Sequence, residues 1–150
     1  MWELRETIEF EDNFAKLSPD IKERFENQIK KLRNNPYALG KPLGYPWFRE
    51  LKNEKFRVYY LIYDQLIVIL FVAVSDKKTQ QEAINIIKGN LKMFKEFVEK
   101  GAKVLKEKEA LYHKMNEDLQ ELIDERQKLI HKLCMEIIAI EDETIKIPVQ

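Results

Sequence analysis

The sequence has few of the residues that cross-link small folds or bind metal ions. Its single cysteine, Cys134, excludes an intramolecular disulfide. Both histidines, His113 and His131, lie in the last third of the chain, so the first hundred residues cannot use a histidine pair as acid and base. The longest uncharged run, residues 65–75, has 11 residues, well short of the roughly 20 that a membrane-spanning helix needs. Because no charged n-region with an apolar h-region opens the chain, we expect a cytoplasmic protein. We also expect no membrane partner, no metal and no cofactor.

Charge is balanced overall but distributed unevenly along the 150 residues. Residues 1–100 hold 18 Lys and Arg against 15 Asp and Glu, and residues 101–150 hold 8 against 11. The two parts therefore carry net charges of +3 and −3. A chain of this length with 45% hydrophobic residues can bury one core. We predict one basic domain in residues 1–100 and a helical C-terminal extension in residues 101–150.

The N-terminal third alternates between strand and helix signals. Trp2, Leu4, Ile8 and Phe10 fall on alternating positions, interrupted by Glu6, which predicts a strand, and Asp12 can cap a short helix after it. Ser18 and Pro19 form an N-cap and first helical position, followed by an apolar stripe that ends at Leu32. Residues 37–46 are rich in glycine and proline and are predicted to form a loop.

Residues 48–80 predict a meander of three antiparallel strands. Residues 56–63 alternate like a half-buried strand, and residues 66–74 form an apolar run typical of a central strand. Short connections are expected at residues 53–54 and 64–65. Cationic side chains lie at the strand ends, which predicts a phosphate-binding face: Arg49, Lys52, Lys55, Arg57, Lys77 and Lys78. Lysines in such positions also protect sheet edges from aggregation, and for Lys52 and Lys55 this second interpretation stays open.

Three short motifs in this order resemble the RelE/ParE superfamily of toxins from toxin–antitoxin systems. They are a helix break at residues 17–19, an Arg-Val-Tyr-Tyr strand at residues 57–60, and Lys-Lys-Thr-Gln at residues 77–80. The sequence of residues 49–80 is most similar to the HigB-like, phage-derived branch. The resemblance covers about the first 98 residues. It implies an α+β fold in which two N-terminal helices pack on a curved, mainly antiparallel four-stranded sheet. Long C-terminal helices would follow in this chain.

The resemblance also implies an activity, namely ribosome-dependent, metal-independent cleavage of messenger RNA in the A site. Such an mRNA interferase inhibits translation and is held in check by a cognate antitoxin. Arg57 would hold the scissile phosphate, and Lys78, with Lys77 beside it, would stabilise the transition state. Arg49, Lys52 and Lys55 would bind the substrate.

Cleavage through the 2′-hydroxyl also needs a group that protonates the departing 5′-oxygen. The superfamily uses a C-terminal tyrosine, and the aligned position here is Ile84. Tyr59 and Tyr63 are the candidates that could replace it. Two alternatives stay open: a non-catalytic, ParE-like gyrase inhibitor, and an inactive interaction protein with a self-inhibiting or dimerising tail.

Residues 80–140 carry apolar residues at spacings of three, four and seven, which predicts long amphipathic helices broken only near Gly89 and Gly101. Read as heptads from Leu105, the seam has three polar entries. We consider three roles for the C-terminal extension, residues 101–150. It would form a homodimer through its helices, act as an arm that inhibits the domain in cis, or complete the core. Cys134 is expected to be buried, and residues 144–149 are a candidate edge strand.

Overall fold

The computed structural model describes residues 1–146 and contains five strands and four α-helices. The chain divides into two compact units, Met1–Ala102 and Lys103–Gln150. In chain order the elements are β1 (Glu3–Glu6), α1 (Ile8–Ala15), α2 (Pro19–Leu32), β2 (Lys41–Tyr45), β3 (Phe48–Asn53), β4 (Phe56–Tyr63), β5 (Val68–Asp76), α3 (Gln80–Gly89) and α4 (Leu91–Lys146). A short 3-10 turn (Asp64–Leu66) connects β4 to β5. No helix in this described part is both long and apolar enough to cross a membrane.

The strands form one mixed sheet in the order β1-β5-β4-β3-β2. β1 runs parallel to β5, and the other neighbours are antiparallel. The predicted α+β class and the β3-β4-β5 meander are confirmed, whereas the four-stranded sheet is wrong. The additional strand, β2, lies in the segment predicted as a loop. Gly40 and Gly44 have φ angles of 83° and 90°, which let this glycine-rich chain turn and pair with β3.

The N-terminal strand is shorter than its alternating pattern predicts. β1 ends at Glu6 because Thr7 caps α1, with its hydroxyl oxygen accepting a hydrogen bond from the Phe10 backbone N–H at 3.1 Å. Phe10 is therefore buried from a helix rather than from a strand. α2 begins at Pro19 after the Ser18 N-cap and ends at Leu32, as predicted.

The sheet is covered on both faces, which we call the first face and the second face. On the first face, α1 and α2 pack over Val58, Tyr60 and Ile62. On the second face, α3 and the start of α4 cover Tyr59 and Leu61. The prediction that residues 56–63 form a half-buried strand is therefore wrong. The pattern looked half-polar because one of its two alternating sets contains Arg57, Tyr59 and Tyr63, whose long side chains can nevertheless be covered.

The second unit begins within α4. Gly89 ends α3 as predicted, but Gly101 does not interrupt α4. Instead, a side chain at Gly101 would collide with the guanidinium of Arg5, so the glycine permits a close approach to β1. All side chains of residues 103–143 are exposed, including Cys134, whose predicted burial is wrong because no described residue covers it. Residues 144–146 are helical rather than extended, and the rest of that candidate strand lies outside the described residues.

Candidate functional site

Five of the six predicted cationic residues meet at one end of the sheet. Strand pairing aligns Lys52 on β3 with Arg57 on β4, and Arg57 with Ser75 on β5. Because neighbouring strands lie about 4.8 Å apart, these three residues span only about 10 Å of backbone. Beyond this row lie Lys55, at the β3–β4 turn, and the Lys77-Lys78 pair that follows β5. We call this set the basic end; it consists of Lys52, Lys55, Arg57, Lys77 and Lys78.

Arg57 is the buried member of the basic end, with 5% of its surface exposed. Its Nη1 donates a long hydrogen bond of 3.4 Å to the backbone carbonyl of Glu54, and its Nε is buried without a hydrogen-bond partner among the described residues. None of the carboxylates described lies within ion-pair distance of it. A buried guanidinium with an unused donor is costly unless an acceptor satisfies it. An anion is the kind of ligand that would do so.

A buried polar cluster adjoins Arg57 on the second face. The Tyr59 and Ser75 hydroxyl oxygens are 2.7 Å apart. Gln80 donates to both carboxylate oxygens of Glu50, at 3.2 and 3.0 Å, and Glu50 aligns with Tyr59 on the neighbouring strand. Burial raises the pKa of Tyr59, and the nearby Glu50 carboxylate raises it further while Arg57 lowers it. Tyr59 therefore keeps its proton at neutral pH.

Glu50, Ser75 and Gln80 were not among the predicted site residues. Glu50 lies between Phe48 and Lys52 on the same face of β3, a pattern that looks identical to the solvent side of an edge strand. Only the covering of the second face by α3 makes Glu50 a buried carboxylate. A polar residue at the end of the long apolar run, Ser75, was the one available signal in the sequence.

The turn after β5 is fixed by Asp76. Its Oδ1 accepts hydrogen bonds from the Thr79 backbone N–H at 2.9 Å and from the Thr79 hydroxyl at 3.0 Å. The backbone bond from Thr79 is the main reason that the pKa of Asp76 lies below its ordinary value, and nearby Lys55 contributes to the lowering. Closing this turn leaves Lys77 and Lys78 exposed at its tip.

Arg49 lies away from the other five cations, on the first face. Its guanidinium donates to the carbonyls of Gly40 at 2.9 Å, Pro46 at 3.1 Å, Leu39 at 3.2 Å and Tyr37 at 3.5 Å. Arg49 pairs with Tyr60 on β4, and the side chains of Tyr60 and Arg57 point to opposite faces of the sheet. The sheet therefore separates the guanidinium groups of Arg49 and Arg57. In this position Arg49 holds the chain that leads into and out of β2.

The two tyrosines considered as acids differ in their distance from Arg57. Tyr63 lies six residues further along β4, which is about 20 Å at strand geometry. Burial, with a contribution from Glu99, raises its pKa to about 12. Tyr59 is two residues from Arg57 on the same face, and Ile84 lies in the core. A cleft of about 660 Å³ lined by Trp47, Tyr63 and Lys95 lies towards the Tyr63 end of β4, away from the basic end.

No protein-family model and no curated protein matches the sequence. Among solved structures, the isolated E. coli RelE toxin is 18% identical, with 58% of this chain and 99% of that chain covered and a TM-score of 0.47. The toxin in the intact E. coli RelBE toxin–antitoxin complex is also 18% identical, with 51% of this chain and 96% of that chain covered and a TM-score of 0.47. A chain of the Mycobacterium tuberculosis RelBE2 toxin–antitoxin complex is 23% identical, with 50% of this chain and 96% of that chain covered and a TM-score of 0.43.

Proposed function

We propose that this chain is the toxin of a type II toxin–antitoxin pair, in the HigB-like branch of the RelE/ParE superfamily, and that it cleaves messenger RNA in the ribosomal A site. The observation that carries the proposal is the buried Nε of Arg57, which has no hydrogen-bond partner among the described residues, beside four exposed lysines. Phosphate oxygens match the donors of a guanidinium, and lysines attract a polyanionic backbone. The motifs at residues 57–60 and 77–80 support the same assignment.

In this proposal Arg57 holds the scissile phosphate and stabilises the charge that develops in the pentacoordinate transition state. Lys78, with Lys77 beside it, supplies a second cation from the turn after β5. Lys52 and Lys55 bind the flanking backbone. Because Arg57 is 5% exposed, a phosphate reaches it only when neighbouring side chains move, and the exposed Lys52 has the flexible stem to do so.

The donor of a proton to the 5′-oxygen is assigned to Tyr59. Its hydroxyl lies next to that of Ser75, which is the strand neighbour of Arg57. Its raised pKa keeps the hydroxyl protonated, as an acid requires. Arg49 is assigned to the fold rather than to substrate binding, because four carbonyls already engage its guanidinium.

The test is primer-extension mapping of transcripts after induction of the wild type and single variants in cells, followed by cleavage assays with purified ribosomes. Arg57→Ala and Lys78→Ala should abolish cuts at A-site codons, and Arg57→Lys should retain a small fraction of them. Lys30→Ala, which removes an exposed lysine on α2, is the control and should cut like the wild type. Cleavage that is unchanged in a folded Arg57→Ala protein would contradict the assignment.

A second function is favoured by the burial of both Arg57 and Tyr59. A protein whose acid is fully buried can bind a target without performing chemistry on it, as in a ParE-like inhibitor of gyrase. In that case induction would relax plasmid supercoiling and leave transcripts intact. Supercoiling and primer extension on the same culture distinguish the two functions.

A further inference from the structure

The second unit carries an apolar stripe along one side of its helix. Leucines recur every eleven residues at Leu111, Leu122 and Leu133, which are 57%, 63% and 56% exposed. Met115, Leu119 and Ile130 fall between them on the same side, and Ile137 continues the stripe beyond Leu133. Eleven residues fill three turns at 3.67 residues per turn, close to the 3.6 of a straight helix, so the stripe stays on one side. The heptad interpretation has more polar entries because its period drifts away from this stripe.

This stripe is a long apolar surface that no described residue covers. Soluble monomers rarely show a continuous apolar patch of more than a few hundred Å². The stripe extends over residues 104–137, roughly 50 Å of helix at 1.5 Å per residue. Every side chain between residues 103 and 143 is exposed. A second helix of similar length and opposite charge pattern would cover it.

The charges of this unit alternate in four blocks. Residues 103–114 hold four basic and two acidic side chains, and residues 115–125 hold five acidic and no basic ones. Residues 126–135 then hold three basic and no acidic ones, and residues 136–146 hold four acidic and one basic. A second copy in parallel orientation would place each block beside itself. A second copy in antiparallel orientation places every block beside one of opposite sign.

We propose that residues 103–146 pair with the same segment of a second copy of this chain as an antiparallel coiled coil centred near residue 124. The register that keeps the stripes together sets Met115 beside Leu133 of the second copy. It also brings Asp118 near Lys132, and Lys114 near Glu136, each pair occurring twice. Glu107 then faces Glu143, and Glu125 faces its own copy beside Arg126. The proposal does not depend on nuclease activity, since it uses none of the basic end.

The first experiment measures the mass of the full-length protein by sedimentation over a range of concentrations. The wild type should be a dimer that dissociates on dilution. Leu133→Asp should shift the equilibrium to monomer by at least a hundredfold, because it places a charge inside the stripe. Met135→Asp is the matched control, since Met135 is equally exposed at 55% but lies on the opposite side of the helix. A wild type that stays monomeric at all concentrations, as an arm acting in cis or a site for a different protein would require, overturns the proposal.

Charge exchange tests the orientation. Asp118→Lys and Lys132→Glu should each weaken the dimer by roughly threefold to thirtyfold, because each exposed pair occurs twice and turns repulsive. The double variant should recover most of the loss, as a coupling between residues too far apart to touch within one helix. Simple additivity of the two effects would contradict the antiparallel register.

Cross-linking provides an independent measurement that does not rely on dissociation. In a Cys134→Ser background, the double variant Met115→Cys/Leu133→Cys should form disulfide-linked dimers under mild oxidation. Either single variant should remain uncross-linked, because each cysteine then faces a non-cysteine residue. Efficient cross-linking of a single variant indicates a parallel pair and overturns the proposal. Circular dichroism confirms that the variants keep their helix.

Discussion

The Tyr59 and Ser75 hydroxyls are 2.7 Å apart on neighbouring strands, and Ser75 is the residue directly across from Arg57. The contact therefore links Tyr59 to the residue that pairs with Arg57 on the neighbouring strand. Sequence patterns place Arg57 and Tyr59 in one strand but end the next predicted strand at residue 74, so they do not show that Ser75 lies directly across from Arg57. The geometry makes Tyr59 both a structural residue and the candidate acid, and these roles have different experimental signatures.

Tyr59→Phe should lower the free energy of unfolding by about 1 kcal/mol, because it removes one hydrogen bond and leaves the buried Ser75 hydroxyl unsatisfied. Chemical denaturation measures the change. Ser75→Ala should cost a similar amount, and the double variant should lose less than the sum because the second change removes nothing further. Should Tyr59→Phe remain fully active in cleavage, its assignment as the acid is wrong, whatever its effect on stability.

Arg49→Ala should destabilise the first unit by about 2 to 3 kcal/mol, since its charged guanidinium donates hydrogen bonds to four carbonyls around β2. Lys52→Ala, on the same strand but exposed, should change stability by less than about 0.5 kcal/mol. Thermal melts of the two variants provide the comparison. Equal melting temperatures would show that the Arg49 contacts do not stabilise the fold.

Gly40→Ala should destabilise the protein by roughly 2 kcal/mol or more, because its φ of 83° disfavours a side chain and the new methyl group would collide with the Tyr60 hydroxyl. Gly89 is the matched position, since it belongs to α3 and a β-carbon added there would meet no atom within 4 Å. Gly89→Ala should stabilise the protein by about 0.5 to 1 kcal/mol. Denaturant midpoints of both variants test the contrast. A Gly40→Ala protein at least as stable as the wild type would contradict the need for glycine at this position.

The turn that presents Lys77 and Lys78 should be sensitive to acid. The folded pKa of Asp76 lies below its ordinary value of 3.8, so its contribution to stability is present above pH 3.8 and is lost as pH falls through the folded pKa. Thr79→Ala removes the hydroxyl donor and should move the pKa of Asp76 upwards, as measured by NMR titration of the carboxyl carbon. In Asp76→Asn this acid-dependent part of the unfolding curve should disappear. An Asp76 pKa that does not respond to Thr79→Ala would contradict the hydrogen-bonded turn.

Local chemistry determined much of the secondary structure. The Ser18-Pro19 start of α2, the β3-β4-β5 meander and the helical nature of the last third follow from caps, alternation and helical periodicity, which depend on residues close in sequence. The same patterns located the cations near strand ends. They failed at β2 and at the end of β1, where glycine conformations and the Thr7 cap decided the outcome.

The sequence by itself determined which residues are cationic, that β3, β4 and β5 are strands, and that the last third is an amphipathic helix with alternating charge blocks. Only the tertiary structure decided which cations share a face. Strand register places Arg57 on the second face, beside Lys52 and Ser75. It places Arg49 on the first face, because a shift of one residue reverses the direction of a side chain. Burial of Tyr59 and Glu50 likewise depends on α3, which packs over the sheet from a distant part of the chain.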